Sequence, residues 1–236
     1  MIKIFIGTSA NGEDSEAELT YEYSLRKYAS EPLEIVWMRQ SKDTASPFNG
    51  WNTASWATPF SGFRWAIPEI CNFEGRAIYT DVDVLCLSNI SELFHIDMNG
   101  RAMLARDYNG MVETSVILFD CKAMKDKIPS IDKLKKMTRI NSELRNTLPA
   151  FSGKLDPKWN CLDGEHYPIE QIKLLHYTKM ASQPWKPKWY QGAAEPHPRS
   201  EIARLWHQYH DEAISAGCKA PDGYEYFGPY NIIGKA

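Results

Sequence analysis

Two β-rich runs separated by one amphipathic segment constrain this chain most. Residues 2–7 (IKIFIG) end on Gly7 and a polar turn, and residues 33–38 (LEIVWM) resume the same character. Between them, residues 17–30 carry Leu19, Tyr23, Leu25 and Tyr28 at roughly helical spacing. Strand, helix, strand at this distance predicts a βαβ unit, and so a parallel sheet reached by a right-handed crossover. A chain of 236 residues is long enough to bury a full core behind such a sheet.

Further elements follow the same logic. Residues 40–57 are polar, with Pro47 and Gly50, and read as a loop. Thr58 as N-cap and Pro59 at the first helical position predict a helix over 58–73, interrupted near Pro68. Strands are predicted at 76–80, 101–107, 115–120 and 172–178, and a helical turn at 91–94. The Lys-rich stretch 122–147 reads as helical with a break at Pro129. Residues 198–217 place Ile202, Leu205, Trp206, Tyr209 and Ile214 along one helical face, with Gly217 as the stop. The aromatic, Gly-rich tail after Pro221 is expected to pack on this body or extend from it.

The strand at 76–80 leads directly into Asp81 and Asp83, in RAIYTDVDVLCL. An Asp-x-Asp arises by chance about 0.7 times in a chain with this many aspartates, so the triplet alone is weak. Its position is what gives it weight. Residues i and i+2 of a strand face one side, so both carboxylates converge on one point. The carboxyl end of a strand is also where open α/β sheets bind ligands. Two uncompensated carboxylates there would repel each other and resist burial, and a bound divalent cation removes both penalties. Mn²⁺ and Mg²⁺ suit carboxylate and diphosphate oxygens alike. The competing readings are two solvated turn aspartates, or a haloacid dehalogenase-like phosphatase with Asp81 as nucleophile. The phosphatase reading lacks its downstream acidic pair.

Charge and cysteines narrow the partners. A net charge of −3 gives no basic footprint for nucleic acid, so an anionic substrate needs a locally placed cation. The five cysteines are scattered and form no CxxC pair, which favours reduced thiols in a cytoplasmic setting. MIKIFIG reads as a strand from its first residues rather than as a leader. No apolar run reaches the ~20 residues needed to span a bilayer. The expected location is cytoplasmic, free or peripheral at the inner face of a membrane.

Residues 63–94 (FRWAIPEICNFEGRAIYTDVDVLCLSNISELF) resemble the core of the family 8 glycosyltransferases, in which an Arg-bearing helix leads to a strand, an Asp-x-Asp and an ISELF-like turn. SVILFDC (115–121), LDPKWNCLDG (155–164), LLHYT (174–178) and QPWKP (183–187) are similar to later segments of that family, and the match covers most of residues 2–216. The resemblance implies a GT-A (Rossmann-like) fold, an α/β single domain over 1–220 with a mixed, mostly parallel sheet flanked by helices, and a tail over 221–236. It implies a nucleotide-sugar donor, with UDP favoured, and a glycan, lipid or other hydroxyl acceptor. It also implies Mn²⁺ or Mg²⁺ held by Asp81, Asp83 and His176. Many members carry a Gly and a phosphate-binding Lys ahead of the Pro-Trp. Here Gln183 precedes Pro184, and Lys179 and Lys186 are the cations left to fill that role. This departure keeps a non-catalytic nucleotide-sugar or glycan-binding relative in view.

The resemblance, with the switch-point rule for such sheets, implies a nucleotide near Thr8 and Ser9, at the end of the first strand. Arg64 contacts either a phosphate or Asp81. Retention of anomeric configuration is implied. Double displacement would need a carboxylate beside the sugar, for which Glu113 is the candidate, and same-face attack needs none. Trp159, Asn160 and Asp163 are candidates for lining the sugar or acceptor pocket, with core packing as the alternative for Trp159. His207 and His210 stand at i, i+3 without the i, i+4 spacing of zinc helices, and read as a solvated face.

Overall fold

A computed structural model describes residues 1–53, 56–186 and 192–228. β1 (Ile2–Gly7), α1 (Ser15–Tyr28) and β2 (Leu33–Met38) form the predicted crossover, with Ile2 opposite Leu33 and Gly7 opposite Met38 in parallel register. α1 carries Glu16 and Glu18 in its first turn and Arg26 and Lys27 in its last, as the helix dipole favours. A 3-10 turn over Phe63–Ala66 runs into α2 (Ile67–Ile70), and β3 (Arg76–Asp81) follows. β3 pairs with β1 in parallel, on the side away from β2. The chain therefore reverses its direction of travel at β1, leaving a crevice above the carboxyl ends of β1 and β3. Gly7 and Asp81 are register partners across it.

The chain continues through β4 (Val84–Cys86), α3 (Ile90–Phe94), β5 (Met103–Tyr108) and β6 (Met111–Asp120). Asn109 and Gly110 both have positive φ, which suits the tight turn joining β5 to β6. α4 (Ile131–Leu134), α5 (Ile140–Arg145), β7 (Ser152–Lys154), β8 (Cys161–Leu162), β9 (Leu174–His176) and α6 (Ser200–Ser215) complete the described elements. The main sheet has the order β2-β1-β3-β6-β5-β7. Its pairings are parallel except at β3–β6 and β5–β6, so β6 alone runs against the other strands. A second sheet, β4-β9-β8, sits beyond the end of β3. α6 packs on α1 through a 2.5 Å Tyr28–Tyr209 hydroxyl contact and a 2.6 Å Lys27–Glu212 ion pair. Gly217, at φ 74°, ends α6 as predicted, with the Cys218 amide donating to Ala213 and that of Gly217 to Ile214.

Three expectations change. The helix predicted from Thr58 begins only at Phe63, and there as a 3-10 turn, because residues 58–62 close i to i+3 turns instead, with the Ser61 amide donating to Thr58 and that of Phe63 to Phe60. Pro68 lies in the first turn of α2, where its missing N–H costs nothing, rather than kinking a longer helix. The 122–147 stretch is two short helices after a turn with Asp126 at φ 63°, in place of one interrupted helix. Residues 54–55 of the predicted loop, Pro187 of QPWKP and 229–236 of the tail lie outside the described residues. The described tail crosses the loop after β1. Tyr224 donates to Glu18 at 2.5 Å, the Glu225 amide to the Ala10 carbonyl at 2.9 Å, and the Phe227 amide to Asn11 at 2.8 Å.

Candidate metal and donor site

Asp81 is the last residue of β3, and Asp83 stands just before β4. β4 pairs antiparallel with β9, setting Val84 opposite His176, and the Tyr177 amide donates to the Asp83 carbonyl at 2.9 Å. This brings His176 Nε2 to 3.3 Å from Asp83 Oδ1. One ligand atom from each of Asp81, Asp83 and His176 lies within 4.8 Å of the others. Two metal–oxygen bonds of about 2.1 Å span about 4.2 Å, so the group is close to the size of one cation's shell.

The chemistry of the donor set fits a divalent ion. Asp83 Oδ1 is buried and accepts no hydrogen bond. Asp81 Oδ1 accepts from Arg64 at 3.0 Å and from the Tyr79 hydroxyl, while its Oδ2 accepts nothing from the described residues. The other nitrogen of His176, Nδ1, is 3.1 Å from both Ser115 Oγ and Asn160 Oδ1, so Nε2 is the atom left for a metal.

The electrostatics show how strongly these groups act on one another. Burial pushes the Asp81 carboxyl up, Arg64 pulls it down and Asp83 raises it again, leaving it at about 6. Burial opposes a charge on His176, but Asp83, and behind it Glu113 and Asp81, outweigh that and raise it to about 9. For Glu113, burial is outweighed by His176 and by the Ser115 hydrogen bonds, which hold it below its ordinary value.

Arg64 sits on the 3-10 turn at 63–66 and is only 4% exposed. Its Nε donates to the Ser61 carbonyl at 2.7 Å, it bonds both oxygens of Thr114, and its guanidinium lies 4.5 Å from the Tyr79 ring centre. Of the two partners expected for it, the structure joins it to Asp81. Glu113 lies inside β6 rather than in a loop ahead of it. It accepts from the Ser115 hydroxyl at 2.5 Å, from the Ser115 amide and from Asn160 Nδ2.

Thr8 and Ser9 lie at the crevice but are 1% and 0% exposed. The Thr8 hydroxyl donates to Glu18 at 2.6 Å and the Ser9 amide to Asp14 at 3.3 Å. Lys179 and Lys186 are exposed; Lys179 pairs with Glu195 at 2.5 Å, and Lys186 donates to the Ala181 carbonyl at 2.6 Å. Trp159 is buried in the core. Asp163 is buried against His197, at 3.0 Å, and accepts from Thr178 at 2.8 Å. Asn160 joins the His176 environment instead. His210 stacks on Trp206, and His207 is exposed on the same helix.

Sequence reasoning missed Tyr79, Ser115 and the bond from Gln183 Nε2 to Asp83 Oδ2 at 3.4 Å. Tyr79 and Ser115 each stand two residues from an acid already singled out, and strand alternation is the signal that finds them.

No family model matches the chain. Among curated proteins it is 27% identical over 230 residues to Protein CDI of Arabidopsis thaliana, covering 83% of this chain and 82% of that one. Among solved structures, the glycosyltransferase GlyE of Streptococcus pneumoniae TIGR4 aligns with a TM-score of 0.61 at 17% identity, over 96% of this chain and 66% of GlyE. The galactosyltransferase LgtC, solved with donor and acceptor sugar analogues, aligns with a TM-score of 0.61 at 11% identity, over 89% of this chain and 96% of LgtC. The chain therefore has the GT-A fold that the resemblance implied.

Proposed function

We propose that this chain is a glycosyltransferase that moves a sugar from a nucleotide diphosphate donor, UDP-linked by preference, to an acceptor hydroxyl. A divalent ion, Mn²⁺ or Mg²⁺, is held by Asp81, Asp83 and His176. The observation that carries the reading is the meeting of these three side chains at the switch-point crevice of a GT-A sheet. The ion, when bound, supplies Lewis-acid stabilisation to the leaving diphosphate. The chain's own part is to hold that shell. Arg64 and Tyr79 fix one oxygen of Asp81 and leave the other without a donor among the described residues. β4–β9 pairing sets His176 against Asp83.

The loop after β1 takes the nucleotide through its main chain, since the Thr8 hydroxyl is committed to Glu18. Lys179 or Lys186 would reach a phosphate only by leaving its present partner. Retention at the anomeric carbon follows from the resemblance, and the acceptor is a glycan, lipid or other hydroxyl compound. Among the described residues no helix is long and apolar enough to cross a membrane. The five cysteines are free thiols, which suits a cytoplasmic or peripheral enzyme.

The test is a donor screen by thermal shift and donor hydrolysis, using UDP- and GDP-sugars with and without Mn²⁺. The expected result is Mn²⁺-dependent stabilisation by a UDP-sugar with slow release of UDP, both abolished by Asp83→Asn. Stabilisation without turnover would favour the binding relative, to which the outward-placed Lys179 and Lys186 lend support. Phosphate release from simple esters with no response to any nucleotide sugar would overturn the proposal.

A further inference from the structure

We infer that Glu113 is a positioning residue: through Asn160 and Ser115 it fixes the ring of His176 so that Nε2, not Nδ1, is offered to the cation. This rests on the reading of Asp81, Asp83 and His176 as the cation shell. It gives Glu113 a different part from the nucleophile that sequence suggests.

The argument is one of donors and acceptors. An ionised carboxylate only accepts hydrogen bonds. The carboxylate of Glu113 takes the Ser115 hydroxyl at 2.5 Å, the Ser115 amide at 3.1 and 3.2 Å, and Asn160 Nδ2. Each bond sets a direction. With Nδ2 turned to Glu113, the Asn160 amide must show its oxygen to His176, where Oδ1 lies 3.1 Å from Nδ1. With the Ser115 proton spent on Glu113, its oxygen faces the same Nδ1 as an acceptor, also at 3.1 Å. Nδ1 thus sees two acceptors and no donor, and must carry the hydrogen. The lone pair falls to Nε2, which lies 3.3 Å from Asp83 Oδ1.

The framework is stiff. Asn160 is 0% exposed and ends the 3-10 turn 157–160, where Asp156 accepts from the Lys158 amide. Arg106 donates to the Asn160 carbonyl at 2.6 Å from a bulge in β5. Glu113 and Ser115 are two residues apart on β6 and so share a face. The same bonds make Glu113 a poor attacking group, since attack would surrender the contacts that orient His176.

Outer partners of a metal-bound histidine typically change metal affinity 10–100-fold. The Ser115 hydroxyl, the Ser115 amide at 3.1 Å and Asn160 Nδ2 all converge on Oε2, while Oε1 takes only the same Ser115 amide at 3.2 Å. Glu113→Gln can therefore place its amide oxygen at the Oε2 position and keep every orienting bond. Glu113→Ala removes the acceptor, so nothing holds Ser115 and Asn160 with their oxygens toward Nδ1. The experiment is Mn²⁺ titration followed by electron paramagnetic resonance, with metal alone, on wild type, E113A, E113Q and D83N.

The expected result is roughly 10–100-fold weaker binding by E113A, with E113Q within about threefold of wild type. E113Q also keeps donor hydrolysis, which loss of a nucleophile would not allow. Wild-type affinity in E113A, a folded E113Q as weak as E113A, or an E113Q that binds Mn²⁺ without donor hydrolysis overturns the inference. If E113A fails to fold, E113Q alone decides it, by keeping or losing both Mn²⁺ affinity and hydrolysis. Failure of the underlying reading looks different: the wild type binds no Mn²⁺, or D83N binds as the wild type does.

Discussion

Metal binding at this site should be strongly pH-dependent, and the direction is fixed by which groups must lose protons. Without metal, His176 carries a proton up to about pH 9, because Asp83, Glu113 and Asp81 outweigh the cost of burying its charge. A cation at Nε2 must displace that proton. At pH 7 the displacement spans two pH units, about 2.7 kcal/mol at 1.36 kcal/mol per unit. Apparent affinity should therefore rise roughly 100-fold from pH 6 to pH 8, with a slope near one. Below about pH 6 protonation of Asp81 steepens it further. Calorimetry in two buffers of different ionisation enthalpy should count close to one proton released per Mn²⁺ at pH 7. His176→Gln should bind weakly with a much flatter profile. Stability of the metal-free protein runs the other way. The folded pKa of His176 is above the unfolded value, so its contribution is full below about pH 6.5 and is lost as pH rises through about 9. An affinity that stays flat between pH 6 and 8, or zero proton release, would refute the assignment of His176 as a ligand carrying a raised pKa.

Asp14 is 4% exposed, and burial raises it to about 7. Its folded value exceeds the unfolded one, so its cost to stability builds from about pH 4 to about pH 7 and is constant above that. Asp14→Asn should therefore stabilise by on the order of 3 kcal/mol more at pH 8 than at pH 4, as seen in urea midpoints at the two pH values. A Cβ at Gly7 would lie 2.5 Å from the Tyr79 hydroxyl oxygen and 2.7 Å from Phe60. Gly7→Ala should cost about 1–3 kcal/mol by overpacking and weaken Mn²⁺ binding as Tyr79 is pushed off Asp81, a pairing that denaturation and metal titration read together. Tyr224→Phe removes the 2.5 Å bond to Glu18 and should cost about 1–2 kcal/mol, measured by chemical denaturation.

How much of this was legible depends on the range of the cause. β1, α1 and β2 follow from local alternation and a polar turn, and their bounds fall within about two residues of the expected ones. The helix expected from Thr58 starts late because residues 58–62 close i to i+3 turns, a local choice that cap signals do not distinguish from the first turn of a helix. β7 and β8 have three and two residues, too few to show a period. The start of β6 was readable. Asn109-Gly110 is a hairpin signal, and it carries the strand back to Met111, taking Glu113 into the sheet.

Within the site, the strand repeat of two supplies more than the proposed metal ligands. Tyr79 and Asp81 share one face of β3, Asp83 repeats the spacing, and Glu113 and Ser115 share a face of β6. In two of these pairs an acid stands beside a hydroxyl that donates to it, so acid and orienting group are encoded together within one short strand segment. What no short window encodes is that the pairs meet. His176 reaches Asp83 because Val84 pairs with it across β4–β9, and Asn160 reaches Glu113 because Arg106 holds its carbonyl from a bulge in β5. The family resemblance named His176 as a candidate, and the structure places it beside Asp81 and Asp83. The orientation of its ring required the pairing register, since the atoms that decide it come from β6 and from the turn before β8.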